Sequence, residues 1–194
     1  MIFFAIIFSS YLIGSIPFGV VISYISKKKD PRLHGSRNIG ATNVLRLSGW
    51  KLGLLTLFLD FAKSIITLKY TISINPDLFS SASIALFLGH VFPVWLKFKG
   101  GKGIAVFIGI IFSISLIHGL FFLIIWVITA ICTKYSSLSA LVASISILSY
   151  NFFIESNSFS ILLLVLNILI FLKHKDNIIR IFNKKESKIK LKIN

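Results

Sequence analysis

Apolar residues run almost unbroken over positions 2–25, 52–74, 78–96, 104–132, 138–154 and 159–172, and the polar residues collect in the gaps between them. Such stretches predict membrane helices rather than the alternating pattern of half-buried strands. Hydrophobic residues make up 56% of the 194 and the mean hydropathy is +0.90, above the roughly 45–50% apolar usage of soluble domains. The chain therefore reads as an all-α integral membrane protein, with 1–194 forming a single domain. The first stretch has no basic leader and no small-residue cleavage site before Lys27, so it is expected to be a retained helix. The Ser-rich region at 136–149 suits close helix packing, because small residues let membrane helices approach.

Charge then fixes the expected topology. Of 21 lysines and arginines, seven fall at 27–51, three at 97–102, one at 134 and eight at 173–192. If 104–132 crossed once, the last eight would lie outside, against the preference of cations for the cytoplasmic side. Splitting that stretch near His118 and Gly119 gives about seven transmembrane helices, with the N-terminus outside and the C-terminus cytoplasmic. Each half is then about 14 residues, rising roughly 21 Å against a ~30 Å hydrocarbon core. Asp77 and Glu155 fall in short external loops. His118 sits in the outer hairpin and receives no role.

The net charge of +15 does not imply nucleic acid, since the cations flank apolar spans where contact with membrane lipids accounts for them. With a single cysteine, Cys132, no internal disulfide or thiolate metal cage forms.

Two glycine-rich, cationic segments carry the candidate chemistry: GSRNIGATNVLR at 35–46 and FKGGKGIA at 98–105. Clustered glycines let backbone N–H groups converge on an oxyanion, and Arg or Lys supplies the countercharge. Gly35 and Gly40 allow tight turns in the first segment, which is dense in Ser36, Arg37, Asn38, Thr42, Asn43 and Arg46. A plain connecting loop would also be polar, but Ile39, Val44, Leu45, Leu47 and Trp50 suggest one folded back onto the protein. The second segment lacks the GxxxxGK spacing of a nucleotide loop and reduces to backbone donors plus Lys102. Asp60 and Lys63 form an i,i+3 pair that neutralises itself in the membrane and is read as structural. His90 lies before Pro93 and the glycine segment, aimed at the phosphate site. His174 and Asn177 share a helix face, a histidine to accept a hydroxyl proton and an amide to aim the substrate. A carrier or channel for organic phosphates remains open on these features, because buried charge and glycine turns also line transport paths.

GSIPFG at 14–19, GSRNIGATNVLR, LDFAK at 59–63, GHVFPVWLKFKGGKGIA at 89–105 and HKDNIIR at 174–180, in that order, resemble the bacterial acyl-phosphate-dependent glycerol-3-phosphate acyltransferases of the PlsY type over essentially the whole chain. Arg37 stands where that family often has glycine or lysine, and Ser64 where glycine is usual. The resemblance implies transfer of a fatty acyl group from acyl phosphate to the 1-hydroxyl of glycerol 3-phosphate, giving lysophosphatidic acid and phosphate. It further implies a monomer in the bacterial inner membrane, with no metal or cofactor and an active site facing the cytoplasm. Ser36, Asn38, Thr42, Asn43 and Arg46 match its first functional motif, Gly100, Gly101, Lys102 and Gly103 its glycerol-phosphate loop, and His174, Asn177 and Glu186 its third. Among these, Ser36, Arg46, Lys102, His174 and Asn177 are expected at the reacting atoms, and Glu186 in a structural role. Asn38, Thr42, Asn43, His90, Gly100, Gly101 and Gly103 are expected to hold substrate. Within the family a substrate phosphate can replace His174 as the base. The H-x4-D pair of other acyltransferases is absent, since the four histidines are followed five positions on by Ile39, Trp95, Leu123 and Ile179.

Overall fold

The structure, a computed structural model, describes residues 1–155 and 159–189. Ten α-helices and no strand occur among them, in two compact units that meet in sequence at Ser115 and Leu116.

The first unit holds α1 (Ile2–Gly14), α2 (Phe18–Ile25), α3 (Ala41–Ser48), α4 (Trp50–Ile74), α5 (Phe79–Val91) and α6 (Ile104–Ile114). The leading apolar stretch is two helices rather than one, bent by 43°. Pro17 lacks an N–H for the ladder and restricts Ile16 before it, so α1 stops and α2 starts afresh. Glycines bring α1 and α5 together: a Cβ on Gly14 would strike the Leu86 backbone, and one on Gly89 the Tyr11 carbonyl. Phe87, Phe107, Leu68, Leu86, Ile110 and Ile111 are fully buried in this unit, while Phe4, Phe8, Leu54, Phe58 and Ile66 are exposed, as an outer face in lipid requires. Ser64, where the resemblance leads one to expect glycine, packs against Gly109 of α6 and donates from Oγ to Asp60 O at 3.2 Å. Pro93 ends α5 before the apolar stretch itself ends, so His90 sits in the last turn of the helix.

The second unit holds α7 (Leu116–Thr133), α8 (Ser136–Tyr150), α9 (Phe159–Lys173) and α10 (Lys175–Phe182), with a π-helical turn at Asn151–Glu155. The long apolar stretch does split in two, but at Ser115, which is extended at φ −161°, and not at His118. His118 lies inside α7, 1% exposed, with Nε2 3.1 Å from Asn151 Nδ2 and its ring edge-on to Tyr150. It pins α7 to the end of α8 and is not a hairpin residue. Ser137, Ser139 and Ser144 are buried beside Ala140 and Ala143, the close packing expected of small residues. Asp77 is exposed in the turn Pro76–Leu78. The Glu155 side chain, Lys190 and Lys192 lie outside what is described.

Three segments, Pro76–Leu96, Leu116–Thr133 and Ser136–Ile154, are long and apolar enough to cross a membrane, and the bent pair α1–α2 makes a fourth. α6 and α9 are apolar but shorter. At the close of the second unit, Ile189 N–H donates to Lys134 O at 2.7 Å, so the segment after α10 returns to the α7–α8 connection. Single cysteines at Lys134 and Lys188, each in a Cys132→Ser background, are therefore expected to behave alike. An impermeant thiol reagent should label both only after cells are permeabilised, and labelling of one without the other would break this pairing.

Candidate active site

In the first unit the loop at 35–46 is organised by one amide. Asn43, 1% exposed, accepts from Ser36 N–H at 3.0 Å and donates from Nδ2 to Pro31 O, Asn38 O and His34 O at 3.0, 2.9 and 3.1 Å. Its amide is thus engaged in holding the loop, rather than presented to a ligand. Ile39 and Val44 anchor the segment at 2% and 0% exposure, while Trp50 is exposed. Gly35 turns the chain at φ 63°, and Arg37 follows at φ 57°, also in the left-handed region that favours glycine. Gly40 has φ −79° and needs no special freedom. Asn43 and Val44 face inward from α3, and Thr42 and Arg46, one helical turn apart, lie on its exposed side. Ser36 is exposed and Asn38 half-buried beside them.

The glycine loop differs from a cradle of amides. Gly100 N–H donates to Val91 O at 3.2 Å and Gly101 N–H to His90 O at 3.1 Å, so both are engaged with the end of α5. A Cβ on Gly101 would collide with His90 Nε2, and one on Gly103, at φ 81°, with the Phe87 ring. These glycines let the loop fold tightly onto α5. Gly103 caps α6, whose amide ladder opens with Phe107 N–H on Gly103 O at 2.7 Å. The leading N–H groups of a helix have no intrahelical acceptor and mark its positive end. Half-buried Lys102 and the start of α6 are therefore groups of this loop that carry positive charge.

Beneath the loop is a buried ion cluster. Lys63 Nζ lies 2.7 Å from Asp60 Oδ1, donates to Gly14 O and Ile16 O at 2.9 Å each, and is 3.2 Å from His90 Nδ1. Gly14 O and Ile16 O are carbonyls released by the α1–α2 break. The pair ties four segments together, where the spacing alone suggested only mutual neutralisation.

In the second unit, His174 is the junction of α9 and α10 rather than part of one continuous last helix. It is 2% exposed and its Nδ1 lies 2.8 Å from Ile170 O. A carbonyl only accepts, so Nδ1 carries the proton and Nε2 is the basic nitrogen. Asn177, one turn on and 4% exposed, donates from Nδ2 to Glu186 Oε1 at 2.7 Å; Ser137 Oγ donates to the same oxygen at 2.8 Å and Arg180 Nε to Oε2 at 2.7 Å. Burial pushes the Glu186 carboxyl up, but hydrogen bonds from Arg180, Ser137 and Asn177, with the Arg180 charge, outweigh it and hold the group below its ordinary 4.5. Sequence reasoning missed Ser137 and Arg180. Arg180 is legible in hindsight as the cation one turn beyond Asn177, whereas Ser137 is one serine among several in its helix.

The family model for glycerol-3-phosphate acyltransferases matches residues 4–184. The chain belongs to that family. Its relatives include glycerol-3-phosphate acyltransferases of Pelagibacter ubique, 49% identical over 94% of this chain and 95% of theirs, and of Ehrlichia canis, 44% identical over 97% and 99%. Crystal structures of PlsY, an integral membrane glycerol 3-phosphate acyltransferase, superpose on it. The glycerol 3-phosphate form does so with a TM-score of 0.93 at 33% identity, over 98% of this chain and 96% of that one. The lysophosphatidic acid form gives 0.90 at 32%. This family membership leaves the organic-phosphate carrier without support.

Three substitutions separate loop shape from helix stability. Gly101→Ala forces a methyl against His90, and Gly103→Ala adds a backbone cost of about 1–3 kcal/mol. Both are expected to raise the KM for glycerol 3-phosphate about tenfold or more. Gly49→Ala is also left-handed at φ 91° but meets open space, so it should lower thermal stability and leave KM alone. Equal KM in all three folded variants would make the loop a simple turn.

The Glu186 clamp has a pH signature. Because its pKa is lowered on folding, its contribution is complete above 4.5 and is lost only as pH falls through the lower folded value. Glu186→Gln loses the ion pair to Arg180 and a charged acceptor worth about 1.5–3 kcal/mol. Activity should fall roughly 10- to 100-fold with little change in KM for glycerol 3-phosphate, measured by steady-state kinetics on folded protein.

Proposed function

We propose that this chain transfers a fatty acyl group from acyl phosphate to the 1-hydroxyl of glycerol 3-phosphate, producing lysophosphatidic acid and inorganic phosphate as the first acylation of phospholipid synthesis. It acts as a monomer in the bacterial inner membrane, with seven spans, the N-terminus outside, and the C-terminus and active site at the cytoplasmic face. The observation that carries the chemistry is the bond between His174 Nδ1 and Ile170 O, because it puts the ring proton on Nδ1 and makes Nε2 the basic nitrogen, the one able to take a hydroxyl proton. The hydroxyl oxygen bonds to the acyl carbon, its proton passes to His174 Nε2, and the tetrahedral intermediate collapses as the acyl–phosphate bond breaks. The proton then returns to the departing phosphate.

Acyl phosphate is already activated, so the protein has only to position the hydroxyl and stabilise the oxyanion and the leaving phosphate. In the first unit Lys102, Arg46 and the head of α6 supply positive charge, and Ser36, Asn38 and Thr42 hydroxyl and amide groups; in the second, Asn177, held by Glu186, is the amide beside His174. Asn43, Gly100, Gly101 and His90 keep the loops in shape. Removal of His174 separates its two possible roles: as base, His174→Gln lowers kcat by 10²–10⁴-fold and abolishes the neutral limb of the pH profile. A substrate phosphate acting as base would leave that limb intact.

The donor is the sharpest test. No separate nucleotide-binding unit occurs among the described residues, and the cationic groups suit bare phosphates. Purified protein supplied with labelled glycerol 3-phosphate should make lysophosphatidic acid from acyl phosphate and release one phosphate per turnover only when both substrates are present. Efficient turnover with acyl-coenzyme A and none with acyl phosphate would overturn the assignment.

A further inference from the structure

The cluster of Asp60, Lys63 and His90 determines the position of one proton. An ammonium group has three N–H donors and no acceptor. Lys63 Nζ lies 3.2 Å from His90 Nδ1, a contact that is attractive only if that nitrogen offers its lone pair. The alternative, Nδ1–H donating to Asp60 Oδ1, would span 3.6 Å, beyond hydrogen-bond range, and would set an N–H against a cation. Asp60 Oδ1 meets Nζ as a counter-ion but not in hydrogen-bond geometry. The three Lys63 donors therefore go to Gly14 O, Ile16 O and His90 Nδ1. In a neutral imidazole the single proton then resides on Nε2, the ring atom that lies against Gly101. The carbonyl of the same histidine accepts from Gly101 N–H, so ring and backbone grip one glycine from two directions.

We infer that Lys63 is a positioning residue for the glycine loop: it fixes His90 as the Nε2–H tautomer beneath Gly101, and so sets the segment that carries Lys102 and Gly103 to the head of α6. The assignment of this loop to glycerol 3-phosphate rests on the function proposed above, whereas the tautomer does not.

The test uses full-length protein in detergent, labelled with ¹⁵N-histidine and ¹⁵N-glycine, with His90→Gln and Gly101→Ser identifying the signals. The imidazole nitrogens of His90 should report a protonated Nε2 and an unprotonated Nδ1. The double variant Asp60→Asn/Lys63→Met removes both charges together, so neither is left buried alone. It should shift His90 toward Nδ1–H, speed hydrogen exchange at the Gly101 amide, and raise the KM for glycerol 3-phosphate about tenfold while kcat changes less. Lys63→Arg keeps a donor and should retain the Nε2–H form and most of the affinity. A wild-type His90 protonated on Nδ1 overturns the inference whether or not the double variant folds. So does a folded double variant with unchanged tautomer and unchanged Gly101 exchange. A shifted tautomer and faster exchange without acyl transfer in the wild type would uphold the positioning role and refute the reaction instead.

Discussion

A membrane interior offers no water to a carbonyl that has lost its helical partner, and each such group costs several kcal/mol if left alone. The break at Ser15–Pro17 takes the helical partner from two carbonyls, Gly14 O and Ile16 O, of which only Ile16 O regains a backbone N–H. Phe18 N–H, which would serve Gly14 O in a continuous helix, donates to Ile16 O instead, and Val20 N–H turns to Pro17 O. The Lys63 ammonium meets both carbonyls, and Asp60 makes that ammonium tolerable in a buried place. Removing one member of such a pair costs about 3–5 kcal/mol, a large share of the 5–15 kcal/mol that a folded domain commands. The bend of α1–α2, the placement of α4 and the end of α5 therefore stand or fall together, and the glycine loop stapled to α5 depends on all three.

The second unit solves a related problem with a carboxylate. Glu186 gathers Ser137 of α8 and Asn177 and Arg180 of α10, fixing a short helix of eight residues that propensity alone would not hold. In both units a charged group gathers donors or acceptors from separate elements. Lys102 lies on the glycine loop above the Lys63–His90 cluster, and His174 lies one turn before Asn177.

This arrangement sorts the polar residues of the motifs by what they touch. Asn43 holds the loop at 35–46 and His90, Gly100 and Gly101 hold the glycine loop, while Ser36, Thr42 and Arg46 lie on the exposed side of the first of these loops. Catalytic precision needs such support, since a loop held by its own weak contacts would not keep reacting groups within a fraction of an ångström. The abundance of glycine in the loop follows from the same need: a methyl at 101 or 103 would meet the aromatic side chains on which the loop rests.

The apolar stretches by themselves determined that the chain is helical and membrane-embedded, because burying about 20 apolar residues in lipid is a property of composition and length. The motifs, being contiguous in sequence, placed the family and the candidate site as well. The kink at Pro17 was visible as a residue but not as a bend, and the split of 104–132 was required by charge yet fell at Ser115, where no strong breaker marks it. Tertiary structure alone decided which polar groups of the motifs hold the loops and helices together. That Lys63 serves carbonyls 49 and 47 residues away and that Ser137 joins Glu186 across 49 residues are long-range pairings, and the bonds of Asn43 to Pro31, His34 and Asn38 depend on how one loop folds back on itself. A hydrogen bond depends on where two groups meet in space, and residue type with spacing states only what each is able to offer.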